Sequence, residues 1–160
     1  MVSLVVRFSS GALQLEGALH LPEGDVRLPA VVVCHPHPVY GGAMGNNVVS
    51  AVCDSLVERG VAALRFNFRG VGGSEGHHES GDGEQDDVRA AVTFLQSNDR
   101  IDGSRVGVAG YSFGAYVGLA ATCLDERVRA ACAISPPASM YDFSLLGRCT
   151  KPKLIVTGSD

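Results

Sequence analysis

A chain of 160 residues is long enough for one well-buried core and too short for two comfortable domains. With 46% hydrophobic and 19% charged residues it has the balance of a globular protein, which argues against disorder. The formal charge of −4 comes without a long basic run, and no stretch approaches the roughly 20 apolar residues of a membrane span, so neither nucleic acid nor a membrane is an expected partner.

The first stretch, LVVRFSSGALQLEGALHLP, alternates apolar and polar residues about a glycine-containing break, the pattern of an antiparallel hairpin. The N-terminus before it lacks a basic region and reaches polar residues too early for a signal peptide, so a cytoplasmic location is expected. PAVVVCH follows as a short continuous apolar run. Next comes NNVVSAVCDSLVERG, whose Val48, Val49, Val52, Cys53, Leu56 and Val57 share one helical face, with Asn46 or Asn47 as cap and Gly60 as terminator. VAALRFNF is the next strand. The glycine-rich loop RGVGGSEGHHESGDG leads from it into EQDDVRAAVTFLQ, a helix with an apolar stripe of Val88, Ala91, Val92 and Leu95. Its Glu84, Asp86 and Asp87 complement the helix N-terminus. RVGVAGY is a third apolar run, and Phe113, Tyr116, Val117, Ala120, Ala121 and Leu124 share a face of the helix after it. VRAACAIS and KLIVTG supply two more runs.

Apolar runs without alternation, separated by amphipathic helices, describe strands covered on both faces. The expected fold is therefore α/β: a mostly parallel sheet with helices on both sides and an antiparallel hairpin at the N-terminus. No composition shift, linker or internal repeat divides residues 1–160, which read as one domain. The five cysteines, Cys34, Cys53, Cys123, Cys132 and Cys149, lie mostly in apolar runs, are odd in number and show no C-x-x-C spacing. They read as buried small hydrophobes of a reducing compartment, with neither a disulfide framework nor a zinc site favoured.

Function in parallel α/β sheets collects at the C-terminal ends of the strands. There GYSFG sets Ser112 between Gly110 and Gly114, the G-x-S-x-G turn in which a strand passes abruptly into a helix and holds a serine at the tip. The competing reading is a serine that merely caps a helix. A second strand end carries CHPHPVYGG. Acyl transfer needs N–H donors for an oxyanion, one from the residue after the nucleophile and one from a neighbouring loop. Phe113 offers the first. Pro36 and Pro38 have no N–H, which leaves the backbone of His37 as the second. His35 and His37 also form an H-x-H pair that a metal could use, but no third ligand stands at a convincing spacing, and no metal or cofactor is expected. RGVGGSEG lacks the lysine of a phosphate-binding loop and has the wrong glycine spacing for a dinucleotide. It reads as a tight turn framing the rim of the site.

The ordered set HPHPVYGG, LRFNFRGVGGSEG, GEQDDVRAAVTFL, VGVAGYSFGA and KPKLIVTGSD resembles the α/β-hydrolase superfamily, in particular its small, capless, dienelactone-hydrolase-like esterases and peptidase-like hydrolases. The resemblance covers nearly the whole chain. It implies Ser112 as nucleophile, Phe113 and the His37 loop as oxyanion hole, and RGVGGS as a structural turn. Dienelactone hydrolases proper use a cysteine nucleophile, so their lactone substrate is not implied. What is implied is transfer of the acyl group of a small ester, thioester or amide to water. The family's acid follows the strand matched by KLIVTG, which makes Asp160 either that acid at a shortened spacing or, as preferred here, its immediate neighbour.

The family's catalytic histidine follows one further strand, whereas all five histidines here precede Ser112. The preferred expectation is thus a serine hydrolase whose last strand, histidine and final helix lie beyond Asp160, acting on a small acyl substrate and possible as a homodimer. A non-catalytic binding domain that kept the elbow is the alternative, and a base drawn from His35, His37 or a partner chain is a third.

Overall fold

The computed structural model describes residues 1–24 and 26–158. Strands β1 (Val2–Ser10) and β2 (Leu13–Leu21) form the N-terminal hairpin, with Val2 opposite Leu21 and Ser10 opposite Leu13. Gly11 makes the turn at φ +58, a region closed to most side chains. There follow β3 (Leu28–Cys34), α1 (Asn47–Glu58), β4 (Ala62–Phe66), α2 (Asp82–Gln96), β5 (Ile101–Tyr111), α3 (Phe113–Thr122), β6 (Val128–Ile134) and β7 (Lys153–Val156). The seven strands lie in one sheet in the order β1-β2-β4-β3-β5-β6-β7. β2 pairs antiparallel with β4, and β4, β3, β5, β6 and β7 run parallel.

The elements follow the sequence pattern closely. Asn46 caps α1 through Oδ1, which accepts the N–H of Val48 at 2.9 Å, and Gly60 leaves the helix at φ +76. The predicted stripe of α2 is buried in full, at Val88, Ala91, Val92 and Leu95. β5 begins four residues earlier than its apolar run because Ile101 is buried and pairs with Leu28. Helix α3 departs from a one-sided pattern: most of its residues are buried, and Leu124, expected on the apolar face, lies beyond its end and is exposed.

Helices α2 and α3 pack side by side on one face of the sheet, enclosing Leu15, Leu64, Phe66, Phe68, Val92 and Phe113. α1 covers the other face through Val49, Cys53 and Val57 against Val33 and Ala63. Beside α1, a groove of about 860 Å³ runs over β5, β6 and β7, lined by Val52, Leu56, Ala109, Cys132, Leu154 and Val156. No helix among the described residues is long and apolar enough to cross a membrane.

The cysteine expectation needs correction. Cys123 and Cys149 are paired as a disulfide, with Cα atoms 5.1 Å apart, inside the range such a bridge requires. It fastens the end of α3 to the segment that enters β7. Cys34, Cys53 and Cys132 are free. An odd count without a C-x-x-C motif hides one pair whose members meet only after folding.

Candidate active site

At the end of β5 the chain turns through Ser112 at φ +54 and ψ −118, a conformation rarely adopted by a residue with a Cβ. The turn is clamped from both sides. The Ser112 N–H donates to the Ile134 carbonyl of β6 at 2.9 Å, and the Ser112 carbonyl accepts the N–H of Ala115 at 2.9 Å. The flanking glycines are required by space. A Cβ on Gly114 would stand 2.6 Å from the His35 carbonyl oxygen and 2.7 Å from the Cys34 carbonyl carbon, while one on Gly110 would drive into the backbone of Gly114.

The loop after β3 is fixed from below by His35. This fully buried ring donates from Nδ1 to the Pro36 carbonyl at 2.7 Å and accepts the Phe68 N–H on Nε2 at 3.1 Å, joining the ends of β3 and β4. Burial pushes its pKa down to about 4 despite the Pro36 bond and the charge of Glu84. Both ring nitrogens are thus engaged, and the ring packs on Phe68 at 4.7 Å. His37 lies elsewhere, with its ring 4.6 Å from Phe113. The H-x-H pair is therefore separated into a buried structural histidine and a rim histidine, and His35 is not placed to act as a base.

His37 caps the short 3₁₀ turn Pro38–Tyr40: its Nδ1 accepts the Val39 N–H, and its carbonyl accepts those of Tyr40 and Gly42. Gly42 has no room for a Cβ against the Pro36 carbonyl. The N–H groups of His37 and Phe113 donate to no acceptor among the described residues. Structure thus brings together Ser112, Phe113 and His37 of the residues singled out from sequence. Asp160 lies outside the described residues.

The loop after β4 is a tight turn, as its glycines suggest. Arg69 grips the fully buried Asp87 through Nε and Nη2, the latter at 2.8 Å, and reaches Glu79 at 2.7 Å. Asp87 also accepts from the Arg69 N–H and the Ser10 hydroxyl, so its role is an interior anchor rather than a surface charge at the helix end. Glu84, likewise fully buried, accepts the Gly81 N–H at 2.8 Å, the Glu79 N–H at 3.0 Å and His78 Nδ1 at 2.7 Å. Burial pushes this carboxyl up, but the bonds from Glu79, Glu84 and Gly81 backbone and the neighbouring His78 outweigh it and leave it below its ordinary value. His78 reaches the elbow, with its ring 5.6 Å from Phe113 and 5.0 Å from His37. Its involvement is invisible in the sequence, where Glu84 reads only as a helix-end charge.

A seven-stranded mixed sheet in this order, with a serine at the strand-to-helix turn after β5, defines an α/β-hydrolase fold. The chain belongs to the X-Pro dipeptidyl-peptidase (S15) family, whose description matches residues 11–160. It is 41% identical over 135 residues to uncharacterized protein RP471 of Rickettsia prowazekii, covering 82% of this chain and 56% of that protein. It is 31% identical over 145 residues to the quorum-quenching protein AidA of Acinetobacter baumannii, covering 89% of this chain and 46% of that one. The chain therefore spans about half the length of these curated relatives. Among solved structures it superimposes on XC6422 from Xanthomonas campestris, described as an α/β serine hydrolase without a lid, with a TM-score of 0.84 and 38% identity over 98% of this chain and 71% of that one. An α/β serine hydrolase homologue from Coxiella burnetii gives a TM-score of 0.87 and 34% identity over 99% and 74%.

Proposed function

We propose that this protein is a serine hydrolase of carboxylesterase type, which cleaves a small ester, thioester or amide through an acyl-enzyme on Ser112. The observation that carries the reading is Ser112 at a positive φ on the strand-to-helix turn, followed by Phe113, whose N–H has no acceptor among the described residues; the N–H of His37, whose ring packs on that of Phe113, likewise has none. In the reaction a general base takes the hydroxyl proton as Oγ bonds to the acyl carbon. The carbonyl oxygen then carries the negative charge, which the Phe113 and His37 N–H groups stabilise. The carbonyl re-forms as the bond to the leaving group breaks and the proton passes to that group. Water repeats the sequence to release the acid and restore the serine.

The hydrolase character of the relatives supports the class of reaction. A small acyl substrate fits the lidless description of the Xanthomonas relative. The test is labelling with a fluorophosphonate. Stoichiometric modification that maps to Ser112 and vanishes in Ser112→Ala is the expected result. A wild-type protein that folds, binds small acyl compounds and yet takes no label would make the site a binding site instead.

A further inference from the structure

Three rings meet at the elbow, those of His37, His78 and Phe113, with centroids 4.6, 5.0 and 5.6 Å apart. Two of them belong to Phe113 and His37, the residues proposed above as the oxyanion donors. The third comes from a different loop, and its position is fixed from behind. His78 Nδ1 is bonded to the fully buried Glu84, which is itself pinned by the N–H groups of Glu79 and Gly81 at the start of α2. The loop carrying His78 has no slack. Gly70, at φ +75, donates its N–H to the Glu75 carbonyl, and a Cβ on it would lie 2.9 Å from the His77 Cα and 3.1 Å from the His78 nitrogen. Arg69, locked on Asp87 and Glu79, holds both ends of that loop.

By contrast, the oxyanion loop is bonded at the rim mainly to itself, through the N–H groups of Val39, Tyr40, Gly41 and Gly42. Val39 and Tyr40 are exposed, and the 3₁₀ turn is one turn long. We propose that His78, anchored by Glu84, is a positioning residue that braces the His37 loop against Phe113 and so fixes the spacing of the two N–H donors. The inference rests on the hydrolase reading for its consequence in catalysis, but the brace itself is a property of the loop. Because the oxyanion exists only in the transition state, loosening the brace lowers kcat and leaves substrate binding largely alone.

The test is His78→Ala in the whole protein, read in two ways. Amide hydrogen exchange of Tyr40, Gly41 and Gly42, whose N–H groups bond back within the loop, is expected to speed up about tenfold, the scale of losing two ring contacts, with hairpin amides of β1 and β2 unchanged. Hydrolysis of p-nitrophenyl acetate is expected to lose about tenfold in kcat with KM within about twofold. His78→Phe keeps a ring without the Glu84 bond and is expected to recover part of kcat. It also serves as the probe should the alanine variant not fold. Unchanged loop exchange overturns the brace, and so does a raised KM at intact kcat, which marks a substrate contact. Faster loop exchange in a protein whose wild type neither hydrolyses the ester nor takes the phosphonate label upholds the brace and refutes the hydrolase reading.

Discussion

Replacing Ser112 separates the chemistry of the elbow from its strain. The backbone at φ +54 and ψ −118 is unfavourable for any residue with a Cβ, at about 1 to 3 kcal/mol. Alanine keeps the Cβ and hence the strain. Glycine removes it, but widens the unfolded ensemble by about 0.4 to 1 kcal/mol. The difference leaves Ser112→Gly more stable than Ser112→Ala by about 1 kcal/mol, and Ser112→Ala close to wild type, since the hydroxyl makes no hydrogen bond among the described residues. In a chain of this size that is about 2 to 4 °C in Tm. Urea denaturation of the three proteins, followed by circular dichroism, measures the difference, and fluorophosphonate labelling confirms that both variants have lost the nucleophile. Equal midpoints for the alanine and glycine variants, or a less stable glycine variant, would show that the turn is unstrained and that the positive φ says nothing about function.

Three further outcomes are expected. Gly114→Ala, forced against the carbonyls of Cys34 and His35, loses about 2 kcal/mol or more and slows Ser112 labelling about a hundredfold, whereas Gly45→Ala, with open space around it, is near neutral in both assays. Under denaturing, non-reducing conditions an alkylating reagent counts three thiols and after reductant five. Closing a span of 26 residues adds about 3.5 kcal/mol in the chain-entropy account, so reduction lowers the unfolding midpoint. His35 has a folded pKa of about 4, below its ordinary value near 6.5, so the unfolded chain binds the extra proton between those limits. Its contribution is present above pH 6.5 and is lost as pH falls toward 4, by about 3 kcal/mol in all, a slope that His35→Asn removes in pH-dependent urea titrations.

What the sequence makes legible is what local spacing controls. Gly110 and Gly114 at two residues from Ser112 and Asn46 ahead of a valine-rich helix are statements about a few consecutive residues, and the folded chain agrees with both. Long-range partners are not legible in this way. Asp87 and Glu84 look like two of several acids at a helix start, and only the return of Arg69 and His78 across the glycine loop turns them into buried anchors. Cys123 and Cys149 sit in unrelated segments, and nothing in their spacing announces that the segment after β6 folds back on the end of α3. Leu124 matched a helical stripe that the helix does not live long enough to use.

These anchors share a logic that bears on how the site is held. Ser112 hangs from β5 and β6, His37 from β3, and His78 from the loop between β4 and α2, so three separate loops must keep a common register. The last two are tied by buried polar groups: His35 joins the ends of β3 and β4, Asp87 joins the loop after β4 to α2 and to β1 through Ser10, and Glu84 holds His78 within it, while the Ser112 turn is held by its N–H bond to Ile134 of β6. A buried polar bond of this kind has few alternative partners, because leaving either side unpaired costs its full desolvation. The loops after β3 and β4 are therefore set from the α2 and α3 side of the sheet, where these bonds lie. The apolar groove beside α1 is on the opposite face and contains none of them. The geometry around Ser112 thus rests both on these interior bonds and on the sheet itself, through the Ser112 N–H bond to Ile134 of β6, a residue that also lines that groove.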